Sequence, residues 1–437
     1  MKIKKKYKKD LVISVPHAMH ARNLFCSSFN FKETSLILGN FSSKVKKKLK
    51  KKTMSDIKNF NLIHLLQSKM ISFYSIILDK EKKIDKNIFL KLVVKNYKNC
   101  DPNYKEIFKH HVDNNFNKIF FFILKILFIK HILSFLISTS SILIYYPILV
   151  KYKPKKIFFT CSNSSLDKGL IFLKKIFKFK VYGLINSWDH LSTKRFLNIH
   201  DFDKLFIWNE YFKKELKHIH NFDLKKSHIV GIPYYDFKRK KYKKKNVLTF
   251  FMSNPQLMDS KKQLEVIEFL EKFCVKNNLI LYIRPHPGIK HVGLDNYKKR
   301  KKIKILTPKR ISMNLKKTIN DHNFFDKDLD KLLQESKVVI NFHSTTSLDS
   351  IFHLTPVINL SLDKKVNWFY QIPYYKFVLN FKAISLVRSF KTLNKTLNLY
   401  LKNTNLNQKN ISKLKKYYFG KFNPKSGELI SKIIYNN

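Results

Sequence analysis

The second half of the chain alternates short apolar runs with segments of helical periodicity. Five segments of strand length, most of them rich in β-branched and aromatic residues, predict strands: Val247–Phe251, Leu279–Ile283, Lys302–Leu306, Val338–Phe342 and Val357–Leu360. Lys261–Asn277 repeats apolar residues at helical spacing, which predicts an amphipathic helix. Strands that alternate with helices in this way favour a doubly wound parallel sheet of the α/β class.

The first half shows the same alternation, except over one long stretch. Residues 56–150 look mainly helical, with few turn residues to separate one helix from the next. Elsewhere a polar turn and a helix follow most apolar runs, so the repeated β-α unit predicts a second parallel sheet. The predicted strands are Leu11–Val15, Thr34–Leu38, Ile157–Thr160, Val181–Ile185 and Lys204–Trp208.

A basic segment separates the two sets of strands. Lys238–Lys245 is almost entirely basic and has no apolar periodicity, which is typical of a linker. The chain has 437 residues, of which 44% are hydrophobic, enough for two cores. We therefore predict two Rossmann-like domains, 1–240 and 246–390, and C-terminal helices over 391–437 that cross back and pack on the first domain.

The charge of the chain narrows the choice of partners. The sequence has 87 Lys and Arg residues against 30 Asp and Glu residues, a net charge of +57. This charge favours an anionic membrane surface or a nucleic acid as partner. The basic runs are rich in Lys and spread along the chain, whereas nucleic-acid recognition calls for a basic face with stacking aromatics. We therefore expect anionic lipid as a partner and no specific nucleic acid.

The sequence predicts a cytoplasmic protein that associates with the inner face of the plasma membrane. The apolar run Leu11–Val15 near the basic N-terminus is too short for a secretory signal. The charge-free stretch Ile132–Val150 is borderline in length and polarity for a membrane span, and buried or membrane-surface helices are the alternatives. Four scattered Cys residues fit neither a disulfide framework nor a metal site.

The segment Arg284-Pro285-His286-Pro287 is the first candidate for chemistry. It follows a predicted strand, and ligands bind at the carboxyl ends of strands in open α/β sheets. Two prolines restrict the backbone. Arg284 offers paired hydrogen bonds to a phosphate, and His286 is suited to donate a proton to a leaving phosphate. The alternative is a rigid turn whose charged residues face water.

The polar turn His343–Thr346 is the second candidate, and it separates a predicted strand from a predicted helix. The N–H groups of a helix N-terminus and nearby hydroxyls suit a phosphate, so we expect this turn to hold the diphosphate of an activated donor. Asp349 lies farther along the same helix. The alternative is that Ser344, Thr345 and Thr346 merely cap a buried helix.

Two further stretches, in the predicted first domain, carry groups that transfer protons. Ser187, Trp188, Asp189 and His190 follow a predicted strand. Trp188 is suited to stack on a base or sugar while the charged pair moves protons, and the alternative is a Trp that anchors its loop to the core. His17 follows the first predicted strand and is a candidate general base, or a histidine without a catalytic role.

Several well-known sites are absent from the sequence. It has no GxGxxG motif, no phosphate-binding loop with a Walker lysine and no GxSxG motif. It also has no Cys/His cluster with zinc spacing and no clear DxD-type metal site. We therefore expect neither a metal nor a cofactor.

Together these segments resemble GT-B glycosyltransferases over roughly residues 155–360. Arg284-Pro285-His286-Pro287, the turn and helix start at 343–349 and Thr355-Pro356-Val357-Ile358 are similar to the C-terminal domain of bacterial CDP-glycerol glycerophosphotransferases and related capsule or surface-polysaccharide transferases. Those enzymes carry Arg-x-His-Pro and Ser-Ser motifs, followed by an Asp and a Pro at offsets that Asp349 and Pro356 match.

A second set of segments resembles uncharacterised bacterial members of the same superfamily. Residues 187–194, with 206–209 and Gly231–Asp236, are similar to a Ser-Trp-Asp-Asn-Leu-Thr-x-Lys pattern and its companions. His190 stands where that pattern has Asn. The chain also lacks the acidic residue that grips the ribose in many sugar-nucleotide GT-B enzymes, unless Asp349 serves.

The resemblance implies inverting transfer from a nucleotide-activated donor without a bound metal. The donor, a nucleotide sugar or a CDP-glycerol-like molecule, would lie on the C-terminal domain. The acceptor, a glycan or a lipid-linked molecule, would lie on the N-terminal domain across a cleft. His286 and Arg284 would stabilise the leaving phosphate, and Ser344 and Thr345 would bind the diphosphate.

The sequence thus predicts a transferase that builds a cell-surface glycan or polyol-phosphate polymer, with Asp189 or His17 as the base that activates the acceptor hydroxyl. A nucleotide-sugar 2-epimerase on the same fold is the alternative enzyme, although an epimerase needs several carboxylates in its cleft and this chain has few. The alternatives from other classes are a basic nucleic-acid or membrane-binding protein and a non-catalytic scaffold.

Overall fold

The computed structural model describes 11–14, 36–38, 53–55 and most of the chain from Tyr145 to Asn436. Within that last part it leaves out 147–148, 162–172, 175, 186, 189–190, 192–198, 237–240, 255–257, 287–290, 309–326, 363–366, 404 and 421–424. The chain divides into two compact units. The first contains the described residues up to Asp236 and the C-terminal helix, and the second contains those from 241 to 420.

Seven described strands form a parallel sheet in the first unit. They are β1 (Leu11–Ser14), β2 (Leu36–Leu38), β3 (Thr53–Ser55), β4 (Lys156–Cys161), β5 (Lys180–Ile185), β6 (Lys204–Ile207) and β7 (Ser227–Ile229). Their order is β3-β2-β1-β4-β5-β6-β7, and every pairing is parallel. The last five residues of β5 are all buried, as expected of a strand covered on both faces. The five strands predicted from the sequence are confirmed, with ends shifted by one or two residues.

Helix α1 (Glu210–His220) follows β6 directly. It begins where the side-chain oxygen of Asn209 accepts a hydrogen bond from the Phe212 N–H at 3.2 Å. The helices predicted over 56–150 lie almost entirely outside the described residues, as does a basic run at 44–52. Among the helices that the structure describes, none combines the length and apolarity needed to cross a bilayer.

Six described strands form a second parallel sheet, in the second unit. They are β8 (Val247–Phe251), β9 (Ile280–Arg284), β10 (Ile303–Ile305), β11 (Val338–Asn341), β12 (Val357–Leu360) and β13 (Ile384–Val387). Their order is β10-β9-β8-β11-β12-β13. The pattern of the sequence predicted every one of these strands except β13.

Helices of the second unit connect and cover these strands. They are α2 (Ser260–Lys276), α3 (Lys327–Glu335), α4 (Thr346–Phe352), α5 (Pro373–Leu379), α6 (Phe390–Lys402) and α7 (Gln408–Phe419). One face of α2 packs on the sheet, with Val266, Ile267 and Leu270 in the same core as Leu281 and Ile340. This alternation of strands and helices is the predicted α/β architecture.

The last helix, α8 (Ser426–Tyr435), belongs to the first unit, whereas α6 and α7 belong to the second. Its N-terminus has no cap from its own preceding residue, Lys425. Instead the carboxylate of Asp236 accepts hydrogen bonds from the N–H groups of Ser426 at 3.2 Å and Gly427 at 2.7 Å. The turn that contains Asp236 therefore has a structural role.

We expect Asp236→Ala to destabilise the first unit by about 1–2 kcal/mol, the usual effect of losing a helix cap. Burial raises the pKa of Asp236. Asp236→Asn should therefore cost less, because it keeps an acceptor without a buried charge. Amide hydrogen exchange of α8 should accelerate in the Ala variant.

Asp223→Ala is the control, since it removes an exposed cap of a three-residue 3-10 helix. Unchanged exchange in α8 would contradict the assignment.

Candidate functional site

Two of the predicted segments meet at the carboxyl edge of the second sheet. Arg284 is the last residue of β9, and the turn 342–345 follows β11. In the sheet, β8 lies between β9 and β11. Neighbouring strands are about 4.8 Å apart, so the two strand ends are about 10 Å from each other. A ligand the size of a diphosphate with its attached groups spans that separation.

Arg284 is held within the protein at this edge. The residue is only 7% exposed, and its carbonyl oxygen accepts a hydrogen bond from the Met252 N–H at 2.9 Å. A guanidinium stays charged at any physiological pH, and in a low-dielectric setting its hydrogen bonds to an anion are stronger. The alternative in which Arg284 faces water does not fit this burial.

His286 is half-buried, and a second histidine holds its backbone. The His286 N–H donates a hydrogen bond to Nε2 of His291 at 3.1 Å. The His291 ring is buried, and burial together with the nearby His286 lowers the pKa of His291. Because Nε2 accepts this bond, the neutral ring carries its proton on Nδ1. His291 was not predicted from the sequence, in which its only signal is a second histidine shortly after the first.

Gly293 lets the segment after His291 return to helix α2. Its φ of +80° lies in the left-handed region, where a side chain causes strain. A Cβ at this position would lie 2.8 Å from a methyl carbon of Leu264, which is on α2. The position of His291 therefore depends on a glycine two residues later.

We expect His291→Leu to reduce the protection of the His286 amide against hydrogen exchange about tenfold, because one hydrogen bond is lost. His291→Gln retains an acceptor and should restore much of the protection. In the wild type, protection should fall as the pH drops through the ring's lowered pKa, which lies below 6.5, because Nε2 then takes up a proton. The Gln variant should lack this pH dependence. Equal protection in all three proteins would show that the bond is unimportant.

In the turn after β11, the hydroxyls of Ser344 and Thr345 have different roles. The Ser344 hydroxyl oxygen accepts a hydrogen bond from the Thr346 N–H at 3.2 Å, whereas Thr345 makes no side-chain cap bond. Thr345 is exposed. The His343 ring stacks on Phe369 with ring centroids 3.5 Å apart, which fixes its orientation. Capping is therefore the role of Ser344, and Thr345 is the hydroxyl open to a ligand.

Asp349 lies inside the second unit, in α4. It is 6% exposed, and its backbone N–H donates to the Thr345 carbonyl at 3.2 Å. Asp349 is thus covered about as fully as Arg284. The ribose contact considered from the sequence stays a prediction.

A network of buried polar side chains lies directly under this turn. The network was not predicted from the sequence. The Asn359 amide donates to Oδ1 of Asn341 at 2.7 Å and to the Ser347 hydroxyl at 3.1 Å. The Tyr375 hydroxyl donates to Oδ1 of Asn359 at 2.9 Å and also interacts with the Ser344 backbone. Burial raises the pKa of Tyr375, so its hydroxyl keeps its proton. The network ties β11, β12, α4 and α5 together beneath the turn.

The sequence-predicted site residues of the first unit are either at least partly covered by the protein or outside the described residues. Trp188 is 2% exposed, so it anchors its loop to the core and cannot stack on a ligand in this arrangement. Ser187 is half-buried beside it. Asp189, His190 and His17 lie outside the described residues.

Two residues that follow β6, Trp208 and Asn209, also have structural roles. Trp208 donates from Nε1 to the Ile185 carbonyl at 2.7 Å, which joins the ends of β5 and β6. Asn209 caps α1. Across the described part of the chain, no group of three His, Cys, Asp or Glu side chains is arranged to hold a metal ion.

No protein-family model and no curated protein matches the chain, but solved structures do. The UDP-GlcNAc 2-epimerase from Neisseria meningitidis bound to UDP-GlcNAc matches with a TM-score of 0.55 at 11% identity, over 98% of this chain and 99% of that one. The co-structure of S. aureus MnaA with UDP matches with a TM-score of 0.53 at 10% identity, over 98% and 95%. The fold is GT-B-like.

A transferase shares this GT-B-like fold with the epimerases. The glycosyltransferase of kitacinnamycin matches with a TM-score of 0.51 at 7% identity, over 98% of each chain. At such identities the likeness concerns the fold alone. The predicted GT-B-like fold class is confirmed, whereas membership of the GT-B superfamily and the closer resemblance to CDP-glycerol glycerophosphotransferases stay predictions.

Proposed function

We propose that this GT-B-like protein is a transferase that moves a glycosyl or polyol-phosphate group from a nucleotide-activated donor to an acceptor in surface-polysaccharide synthesis. The observation that carries the proposal is the pairing of Arg284 and His286 after β9 with His343, Ser344 and Thr345 after β11, at one sheet edge. These side chains can supply positive charge, a proton and hydrogen-bond donors to a diphosphate.

In the proposed reaction, the acceptor oxygen attacks the donor carbon or phosphorus as the bond to the nucleotide's phosphate breaks. Negative charge develops on that leaving phosphate. Arg284 stabilises this charge with paired hydrogen bonds, and His286 donates a hydrogen bond or a proton to it. The Thr345 hydroxyl holds the other phosphate. The acceptor's proton passes to a base, for which Asp189 and His17 are the candidates from the sequence.

The second candidate function is that of a nucleotide-sugar 2-epimerase, and the match to the Neisseria meningitidis enzyme over nearly the whole chain favours it. An epimerase breaks and remakes bonds within one sugar and needs acid and base groups for this. The described loops at 284–286 and 342–346 contain no carboxylate. We therefore rank the transferase first.

A thermal-shift screen against UDP, CDP, GDP and their sugar or glycerol conjugates tests the proposal. A ligand at a hundred times its dissociation constant stabilises the folded state by about 2.7 kcal/mol. We expect one base series to stabilise the protein in physiological salt. Incubation with the matching donor should then release nucleotide only when an acceptor is added. Conversion of the donor to its 2-epimer without an acceptor would support the epimerase, and equal shifts by all nucleotides that salt abolishes would reject both.

A further inference from the structure

An exposed apolar surface lies at the amino-terminal edge of the first sheet. In the helical residues 145–146 and 149–152, Tyr145, Leu149 and Tyr152 are buried, while Tyr146 is 49% and Val150 is 44% exposed. Tyr146 and Val150 are four positions apart, so they lie next to each other on the outer face of the helix. This helix therefore presents apolar side chains to solvent as well as to the core.

The helical residues 173–174 and 176–177 extend this surface. Ile176 is 57% exposed, and the neighbouring Phe177 ring makes an edge-to-face contact with Tyr146 at 5.6 Å between centroids. The Phe177 contact thus links Tyr146 and its helix to the segment that also carries Ile176, and we call Tyr146, Val150, Ile176 and Phe177 the apolar cluster. Three of its members, Tyr146, Val150 and Ile176, are among the eight large hydrophobic side chains that are exposed in the described part of the chain. Such clustering marks an interaction surface, whereas single exposed hydrophobics do not.

Lysines surround the apolar cluster. The Lys153 N–H donates to the Leu149 carbonyl, and the Lys178 N–H to the Lys174 carbonyl, so both helical segments end at the same edge of the sheet. The Lys180 N–H donates to the Lys155 carbonyl at 2.8 Å, which joins the starts of β4 and β5 there. The exposed lysines of this edge are Lys151, Lys153, Lys155, Lys178 and Lys180.

The carboxylates at this edge offset little of that charge. Asp201 and Asp203 precede β6 on the same side of the sheet. Asp203 forms an ion pair with Lys174 at 2.9 Å and accepts a hydrogen bond from the Val181 N–H at 2.6 Å. The rim of the apolar cluster is therefore strongly positive.

We propose that this apolar-basic surface docks the protein on an anionic lipid membrane. Apolar side chains surrounded by lysines match the two layers of such a membrane, because the former enter the acyl boundary while the latter meet headgroup phosphates. The sequence that leads into the surface is free of charged residues from Ile132 to Val150. Continuity of this run with the cluster favours lipid as the partner.

Two other partners fit less well. In a dimer, the lysines of one copy would face the same lysines of the other copy, and like charges repel. A nucleic acid would use the lysines but gains nothing from an exposed Val and Ile, since neither side chain stacks on bases as aromatic rings do. The charge and the apolar cluster together therefore favour an anionic bilayer.

Vesicle flotation of the full-length protein tests this docking surface and does not depend on the enzymatic activity. Vesicles of phosphatidylcholine alone are compared with vesicles that also contain phosphatidylglycerol. The apolar variant is Val150→Ser with Ile176→Ser, and the basic variant is Lys155→Glu with Lys180→Glu. The matched control is Lys391→Glu with Lys395→Glu, two exposed positions on α6 that change the net charge equally. Circular dichroism verifies that each variant is folded.

We expect the wild type and the control to bind the anionic vesicles and both other variants to bind at least tenfold more weakly, since each lysine near an anionic surface contributes about fivefold. Equal losses in the two lysine variants would show that only total charge matters and would overturn the proposal. Undiminished binding of the apolar variant would overturn it too. Self-association of the wild type that the apolar variant abolishes would replace the membrane by a second copy.

Discussion

Replacing Arg284 with alanine is expected to weaken binding of the nucleotide donor about 100-fold. Arg284 is 7% exposed at the carboxyl end of β9, where a phosphate would meet its guanidinium with little competing water. Hydrogen bonds to charged groups contribute about 1.5–3 kcal/mol each, and a bidentate pair therefore accounts for a loss of about 3 kcal/mol. Calorimetric titration with the nucleotide identified in the thermal screen measures the change.

Two further variants separate the contact from the charge. Arg284→Lys keeps the charge but loses the planar fork, so its affinity should fall between those of the wild type and Arg284→Ala. Arg300→Ala removes the same charge from an exposed arginine that pairs with Glu271 on α2, and it should bind as the wild type does. Equal losses in Arg284→Ala and Arg300→Ala would mean that only the overall positive field attracts the nucleotide. Wild-type affinity in Arg284→Ala would remove Arg284 from the site.

The sequence predicted the sheets well because their strands are continuous apolar runs. Val247–Phe251 and Val357–Leu360 match β8 and β12 at both ends. Strand β13 (Ile384–Val387) was missed because two of its four residues are only half-buried and it follows an aromatic-rich stretch without clear periodicity. Helix α5 was missed as well, although Pro373 at its first position is a recognised start signal.

The candidate site was predicted less completely, because residue type does not reveal burial. A Trp beside Asp and His suits both a ligand and a core, and only the structure shows that Trp188 is buried. Which of the two hydroxyls, that of Ser344 or that of Thr345, caps helix α4 depends on backbone angles that the sequence does not specify. The Asn pair was visible as one polar residue within each of two apolar strands, but its pairing depends on the register that sets Asn341 opposite Asn359.

That Asn pair yields the second large effect. We expect Asn359→Leu to destabilise the second unit by about 3 kcal/mol. Asn359 is fully buried, and the substitution keeps its approximate volume. It deprives Asn341 and Ser347 of a donor, and Tyr375 of an acceptor, at a cost of about 1–3 kcal/mol for each group left unsatisfied. Urea denaturation, with hydrogen exchange of the β11 and β12 amides, measures the loss.

A double-mutant cycle shows whether the network acts as a unit. Tyr375→Phe removes the hydroxyl that Asn359→Leu leaves without an acceptor, so the double variant should lose less stability than the two single variants combined. Asn394→Leu, on the exposed face of α6, is the matched control and should change stability by less than about 0.5 kcal/mol. Because the Tyr375 hydroxyl also interacts with the Ser344 backbone, both Tyr375→Phe and Asn359→Leu should weaken nucleotide binding in protein that remains folded. Strict additivity with unchanged nucleotide affinity would show that the network supports the fold but not the turn above it.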